Sequence, residues 1–301
     1  MRNKALTVPF VLWAMIFIVV PLIMIVWYGV TVEETPAYTE VVLEDGATYF
    51  QLEDGTLTTE RPVKRAVVSL ANFKRMLEPT YLKLLLRSLK VAVITTVICL
   101  LLGYPVALIL TGKDFRRPAL WLMLLILPMW MNFLLRTYAT MNILSTVPLL
   151  DRLFMNNING VLLGMVYNYL PFMILPIYSS LSKMDHSLIE AASDLGASPR
   201  RTFWKIVFPL SAPGVVSGIT MVFMPAVSTF AIATLIGGSK VTIIGDIIQR
   251  YFGKMSTWGI GSALSVVLML FIIISMLITA VANARSGKQK QTRPKGVKNH
   301  A

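Results

Sequence analysis

The chain has 301 residues, 55% of them hydrophobic and only 14% charged, where an ordinary soluble domain carries about a quarter charged. So little charge excludes a disordered tail, a disulfide scaffold and a cytosolic enzyme, and leaves an integral membrane protein. The net charge of +13 would suggest nucleic acid in a soluble chain; here it fits basic cytoplasmic loops, and no nucleic-acid partner is expected.

Intervals free of Asp, Glu, Lys and Arg mark the candidate spans, since a crossing takes about 20 apolar residues. A short N-terminus, 1–8, leads into the first span at 9–30. Its apolar run is too long for a signal-peptide core, and no small-x-small cleavage site follows closely, so it is expected to be a retained helix. Residues 31–90 follow as an external segment. From Glu33 to Glu60 there are eight acids and no Lys or Arg. Asp45-Gly46 and Asp54-Gly55 are turn signals between Val41, Val42, Tyr49, Phe50 and Leu57, which predicts a small β-hairpin or meander. Between Ser69 and Lys90, leucines alternate with basic residues, and Lys83, Arg87 and Lys90 share one helical face. This predicts an interfacial helix, interrupted at Pro79, feeding the second span.

The remaining spans are expected at 91–112, 119–141, 160–181, 213–235 and 259–282, giving an all-α membrane fold of six helices within a core of 91–282. The lone Cys99 lies in an apolar run and reads as a packing residue. Pro105, Pro128, Pro171, Pro176 and Pro225 should bend their helices, which suits a transporter or channel better than a passive anchor. Gly160-x3-Gly164 and Gly214-x3-Gly218 allow close helix contact. The tail at 283–301 carries six Lys and Arg and no acid. Such a tail is hard to translocate, so both termini and the loop at 182–212 are expected in the cytoplasm.

That loop is the most informative stretch. Leu188, Ala191, Ala192 and Leu195 form an apolar stripe on a short polar helix. Asp185 suits its positive end and Gly196 stops it. Arg200, Arg201 and Lys205 follow, then Pro209 and Pro213, which are expected to break the chain as it re-enters the bilayer. An amphipathic helix between two spans must bury its stripe on headgroups or on another protein.

Glu190-Ala191-Ala192, three residues, Gly196, nine residues, Ile206 and Pro209 match the pattern E-A-A-x3-G-x9-I-x-L-P. On these residues the chain resembles the EAA-loop permeases of binding-protein-dependent ABC importers, with one departure, Phe208 in place of Leu. The stretches 101–110, 127–144, 167–198 and 237–252 are similar to the first permease subunit of spermidine/putrescine importers. The resemblance runs from about Leu70 to Ala282.

It implies a type I ABC importer permease fold in a bacterial inner membrane. It also implies a pair of identical ATPase subunits docked on the EAA loops, a second homologous permease, and an extracytoplasmic polyamine-binding protein. The loop would transmit ATPase closure through Leu188, Glu190, Ala191, Ala192, Leu195, Gly196, Ile206 and Pro209. The chain itself lacks G-x4-G-K-[ST], so ATP hydrolysis would belong to another subunit. No cofactor is implied, and His186 and His300 show no metal-ligand spacing.

No acid lies deep in a span, so a polyamine route would rely on aromatic faces and amides. Trp130, Asn132, Tyr138, Tyr167, Asn168, Tyr169 and Asp246 are the candidates. An interfacial aromatic belt with ordinary packing is the competing reading. Arg136 is awkward for a cation route and is expected to snorkel outward or to pair with Asp151 or Asp246. Sulfate, iron and aminoethylphosphonate importers have related permeases, so those solutes stay open. A secondary transporter stays open too, although neither inverted repeats nor intramembrane coupling carboxylates are visible.

Overall fold

The computed structural model describes residues 4–34, 38–42, 48–52, 57–58, 65–112, 116–238 and 240–291. The chain divides into two compact units, Met1–Leu82 with Ile247–Met269, and Lys83–Asp246 with Leu270–Ala301.

The first unit opens with α1 (Lys4–Ala14), a π-helical turn at Met15–Val19 and α2 (Val20–Gly29). Val8–Gly29 is long and apolar enough to cross a membrane, with none of its most hydrophobic window buried inside the chain. An all-round apolar helix that its own chain leaves so largely uncovered needs lipid or a neighbouring subunit as its surroundings. The π turn ends two residues before Pro21. Proline supplies no N–H and crowds the carbonyl four residues back, and the wider turn accommodates both effects.

The β segment follows. β1 (Thr31–Glu34) pairs antiparallel with β5 (Arg65–Val68), in register Thr31↔Val68. β2 (Tyr38–Val42), β3 (Thr48–Leu52) and β4 (Leu57–Thr58) form a three-stranded antiparallel meander. The turn signals Asp45-Gly46 and Asp54-Gly55 lie outside the described residues. Asn72, on α3 (Ala71–Met76), ties the unit together. Its Nδ2 donates to the carbonyls of Gly29 (3.3 Å) and Thr31 (2.9 Å). A Cβ on Gly259 would come 2.8 Å from that nitrogen, so the close approach requires glycine there.

α4 (Pro79–Leu110) is one helix of 32 residues. The expected break at Pro79 is instead its start, because proline at the first position loses no helical hydrogen bond. The interfacial stretch and the second span are therefore continuous. At about 48 Å, the helix is longer than a hydrocarbon layer of about 30 Å.

The third span is not one straight helix over 119–141. α5 (Pro118–Ile126) passes into a 3-10 turn at Leu127–Trp130, and α6 (Phe133–Thr146) leaves at 96° to the incoming segment. Pro128 lies in that turn, and Asn132 starts the new helix. Its Oδ1 accepts from the N–H groups of Leu134 (2.9 Å) and Leu135 (3.4 Å).

α7 (Pro148–Phe154) and α8 (Ile158–Leu181) come next. α8 runs through Pro171 and Pro176 without a break, as α4 does through Pro105. The fifth span also differs from the expected 213–235. A continuous helical segment covers Pro199–Ser228 and stops where Thr229 turns extended. Its final part is α11 (Phe208–Ser228), which holds Pro213 and Pro225 inside. α12 (Ala231–Ile236), α13 (Ile244–Phe252) and α14 (Trp258–Gln291) complete the chain. Among the described residues, five helices are apolar and long enough to cross a membrane, and six if the bent pair is one span.

The core of the second unit lies along α8, where Met165, Met173, Ile174 and Ile177 are fully buried. α11 packs closely on it through two glycines. A Cβ on Gly214 would lie 2.6 Å from the Pro176 carbonyl oxygen, and one on Gly218 2.7 Å from Met173 Sδ. Ser88 on α4 caps α13, its Oγ accepting from the Ile244 N–H at 2.7 Å.

Candidate functional site

The loop between α8 and α11 contains α9 (Ser187–Asp194). Asp185 opens it, with a side-chain oxygen accepting from the Ser187 N–H at 3.0 Å. Hydrogen bonds from the Ser187 backbone and side chain hold this carboxyl below its ordinary pKa. At the other end, the Ala197 N–H donates to the Ala192 carbonyl (2.9 Å) and the Gly196 N–H to that of Ser193 (2.8 Å). This is a Schellman stop, with Gly196 at φ +74°.

The apolar stripe does not act as one face. Ala192 is buried in the chain at 8% exposure, while Leu195 is 88% exposed. Leu188 and Ala191 also face out, as does Glu190. So Ala192 seats the helix, and Leu188, Ala191 and Leu195 form an uncovered apolar edge.

Beyond Gly196, Ser198 caps α10 (Pro199–Thr202), accepting from the Arg201 N–H at 3.4 Å. The helix then widens into a π turn, Phe203–Val207, which again ends two residues before a proline, here Pro209. That spacing lets the helix pass Pro209, and Pro213 lies inside α11, so neither breaks the chain, contrary to the expectation from sequence. Ile206 lies half-buried in the π turn, and Pro209 is exposed. Phe208, the departure from the motif, packs with its ring 5.9 Å from Tyr104 and 5.3 Å from Trp204.

The expected pathway residues take different positions. Trp130 is 88% exposed, and Asn132 is spent as the α6 cap. Tyr138 and Tyr167 are about half exposed. Asn168 is fully buried, and both ends of its amide are engaged. Its Oδ1 accepts from Arg136 Nε at 2.6 Å, and its Nδ2 donates to the Gly164 carbonyl at 2.7 Å. The Tyr169 hydroxyl donates to the Pro225 carbonyl at 3.4 Å. Asp246 is buried and accepts from the Thr234 hydroxyl at 2.9 Å. The structure thus joins Tyr167 and Asn168 around Arg136, while Tyr169 turns toward α11 and Asp246 toward α12.

Arg136 neither snorkels nor pairs with Asp151 or Asp246. It is buried, and its Nη1 donates to the Pro128 carbonyl at 3.0 Å, across the 96° bend. Its guanidinium carbon stands 6.0 Å from the Tyr167 ring centre. Sequence reading also missed Tyr104, which is buried and places its hydroxyl 2.8 Å from Ser211 Oγ. A lone tyrosine in an apolar run gives no sign of a partner 107 positions away.

Comparison with known proteins bears on the fold and the family. A solved bacterial ABC transporter involved in import of the polysaccharide alginate has a chain of the same fold, with TM-score 0.63 at 14% identity over 97% of both chains. A chain of the MetNI methionine ABC transporter gives 0.55 at 16% identity, over 69% of this chain and 98% of that one. In sequence, the chain is 38% identical over 226 residues to the spermidine/putrescine transport system permease protein PotB of Escherichia coli K12, covering 71% of this chain and 82% of PotB. It is 34% identical to PotB of Haemophilus influenzae over 72% of this chain and 80% of PotB. The family model of the binding-protein-dependent transport system inner membrane component matches residues 4–288. With that match spanning nearly all of the sequence, this chain belongs to the family of binding-protein-dependent transport system inner membrane components.

Proposed function

We propose that this chain is a permease subunit of an ATP-driven importer for spermidine and putrescine, working beside a second, homologous permease. An extracytoplasmic binding protein delivers the solute. A pair of identical ATPase subunits docks on the two permeases, one of them on the loop 182–212 of this chain. The observation that carries the docking is the uncovered edge Leu188, Ala191 and Leu195, on a helix whose one buried residue is Ala192. The polyamine assignment rests on the 38% identity to the E. coli spermidine/putrescine permease.

In this reading both termini and the loop are cytoplasmic, and the β segment at 31–68 is external. Trp130, Tyr138 and Tyr167, which keep exposed aromatic surface, offer π faces to an ammonium group. Asn132, Asn168 and Tyr169 hold the shape of that wall, and Asp246, buried beside Thr234, supplies a carboxylate. The test is uptake in vesicles holding both permeases, the ATPase and the binding protein. ATP-dependent accumulation of labelled spermidine and putrescine is expected. Accumulation of sulfate, iron or aminoethylphosphonate instead would overturn the solute, and uptake independent of ATP would overturn the mechanism.

A further inference from the structure

Where the docking loop leads into α11 stands a ring cluster of which the family motif includes only one position, that of Phe208. Tyr104, on α4, meets Phe203 edge-on at 5.7 Å and Phe208 at 5.9 Å. Phe203 and Phe208 are 6.3 Å apart, and Trp204 meets Phe203 edge-on at 5.2 Å and Phe208 at a tilt at 5.3 Å. In an α-helix, residues five apart point about 140° away from each other. The π turn at Phe203–Val207, closed by the Phe208 N–H on the Phe203 carbonyl, brings residues five apart toward one side. Both rings therefore reach the same tyrosine.

The polar contact is directional. Ser211 Oγ donates its one proton to the Phe208 carbonyl at 3.0 Å, so in the 2.8 Å pair the Tyr104 hydroxyl is the donor. Tyr104 is held in place from behind. Its neighbour Gly103 lies so close to α8 that a Cβ there would stand 3.1 Å from Met173 Cγ.

We propose that Tyr104 is the positioning residue that locks the exit of the loop to α4, so that displacement of the loop and displacement of α4 are a single event. This rests on the reading of 182–212 as the ATPase-docking loop. The rings supply the apolar part of the contact. The hydroxyl pair fixes the register, because slipping by one position would leave a buried donor without an acceptor.

The assembled importer in vesicles, with its ATPase subunits and binding protein, tests this by the ratio of solute imported to ATP hydrolysed. Tyr104→Phe keeps the ring and removes only the register bond, whereas Ser211→Ala removes it together with the local bond to the Phe208 carbonyl on its own helix. Both variants should recover the ATPase to the wild-type extent and still hydrolyse ATP, while the transport ratio falls roughly 2- to 10-fold, the worth of one hydrogen bond. The double variant should fall no further than Ser211→Ala alone. Tyr104→Leu, which also removes the ring contacts, should fall further. A wild-type ratio in Tyr104→Phe would overturn the proposal. So would a loss of transport that only follows a loss of assembly or of melting temperature, since that marks a merely structural contact. If the wild-type chain itself fails to hold the ATPase, the docking reading fails first, and the wild-type arm shows it.

Discussion

Gly196 is required by its own backbone and not by a neighbour within the chain. A Cβ built there meets nothing within 4 Å, yet φ is +74°. A side chain in this left-handed conformation costs about 1–2 kcal/mol. Gly196→Ala should therefore loosen the end of α9 by about 1 kcal/mol and leave ATPase recovery in a detergent pull-down largely intact. Gly196→Trp projects bulk into the open side where a partner would sit, and should abolish both recovery and uptake. Normal values for that variant would remove the coupling assignment. Leu195→Arg is the cleaner charge test. The residue is 88% exposed, so the chain tolerates the substitution, whereas Ala192→Arg would bury a charge inside the chain itself. An unpaired charge at a docked interface costs on the order of 2–5 kcal/mol, so Leu195→Arg should lower ATPase recovery roughly 30-fold or more with insertion unchanged.

At the level of elements, the bent third span depends on Arg136, which bonds α8 through Asn168 and the 3-10 turn through the Pro128 carbonyl. Two directions of donation need the planar guanidinium, and a lysine ammonium on its flexible stem does not reproduce them. Arg136→Lys should leave one buried acceptor unpaired, at a cost of about 1–3 kcal/mol, and lower the thermal stability of the purified permease. A melting temperature equal to wild type would show that the bend holds without it. The spans themselves were legible, because a run of about 20 apolar residues has one explanation in a membrane protein. Their ends were not. The start of the fifth helical segment lay hidden because Arg200, Arg201 and Lys205 mark a loop by composition, while Ser198 and Pro199 supply a helix start that outweighs them. Pro128 was visible as a bend, but Pro105, Pro171 and Pro176 carried the same signal and lie in unbroken helices. What separates them is the second half of a helix boundary, the cap at Asn132. The stripe on α9 was visible as four residues, and its division into a seated and an open side was not, since that depends on the spans beneath it.

For the molecule as a whole, the charge distribution makes the proposed sidedness testable. Six Lys and Arg after Ala284 oppose eight acids between Glu33 and Glu60. Cysteines placed at Ser286 and Thr48 should react with impermeant reagents from opposite sides, and labelling from one side would contradict the six-span arrangement. Neutralising Glu33, Glu34, Glu40, Glu44, Asp45, Glu53, Asp54 and Glu60 should slow uptake mainly at low salt, where the local negative potential is least screened. An effect of equal size at all ionic strengths would point away from electrostatic capture. The length of α4 carries a mechanical consequence. Tyr104 and Ser88 sit on one unbroken rod, about 24 Å apart along its axis. A tilt of about 10° pivoting at Tyr104 would swing Ser88 through about 4 Å, more than enough to part it from the Ile244 N–H now 2.7 Å away. The helix is then a lever arm, and the cap on α13 is the catch released at its far end.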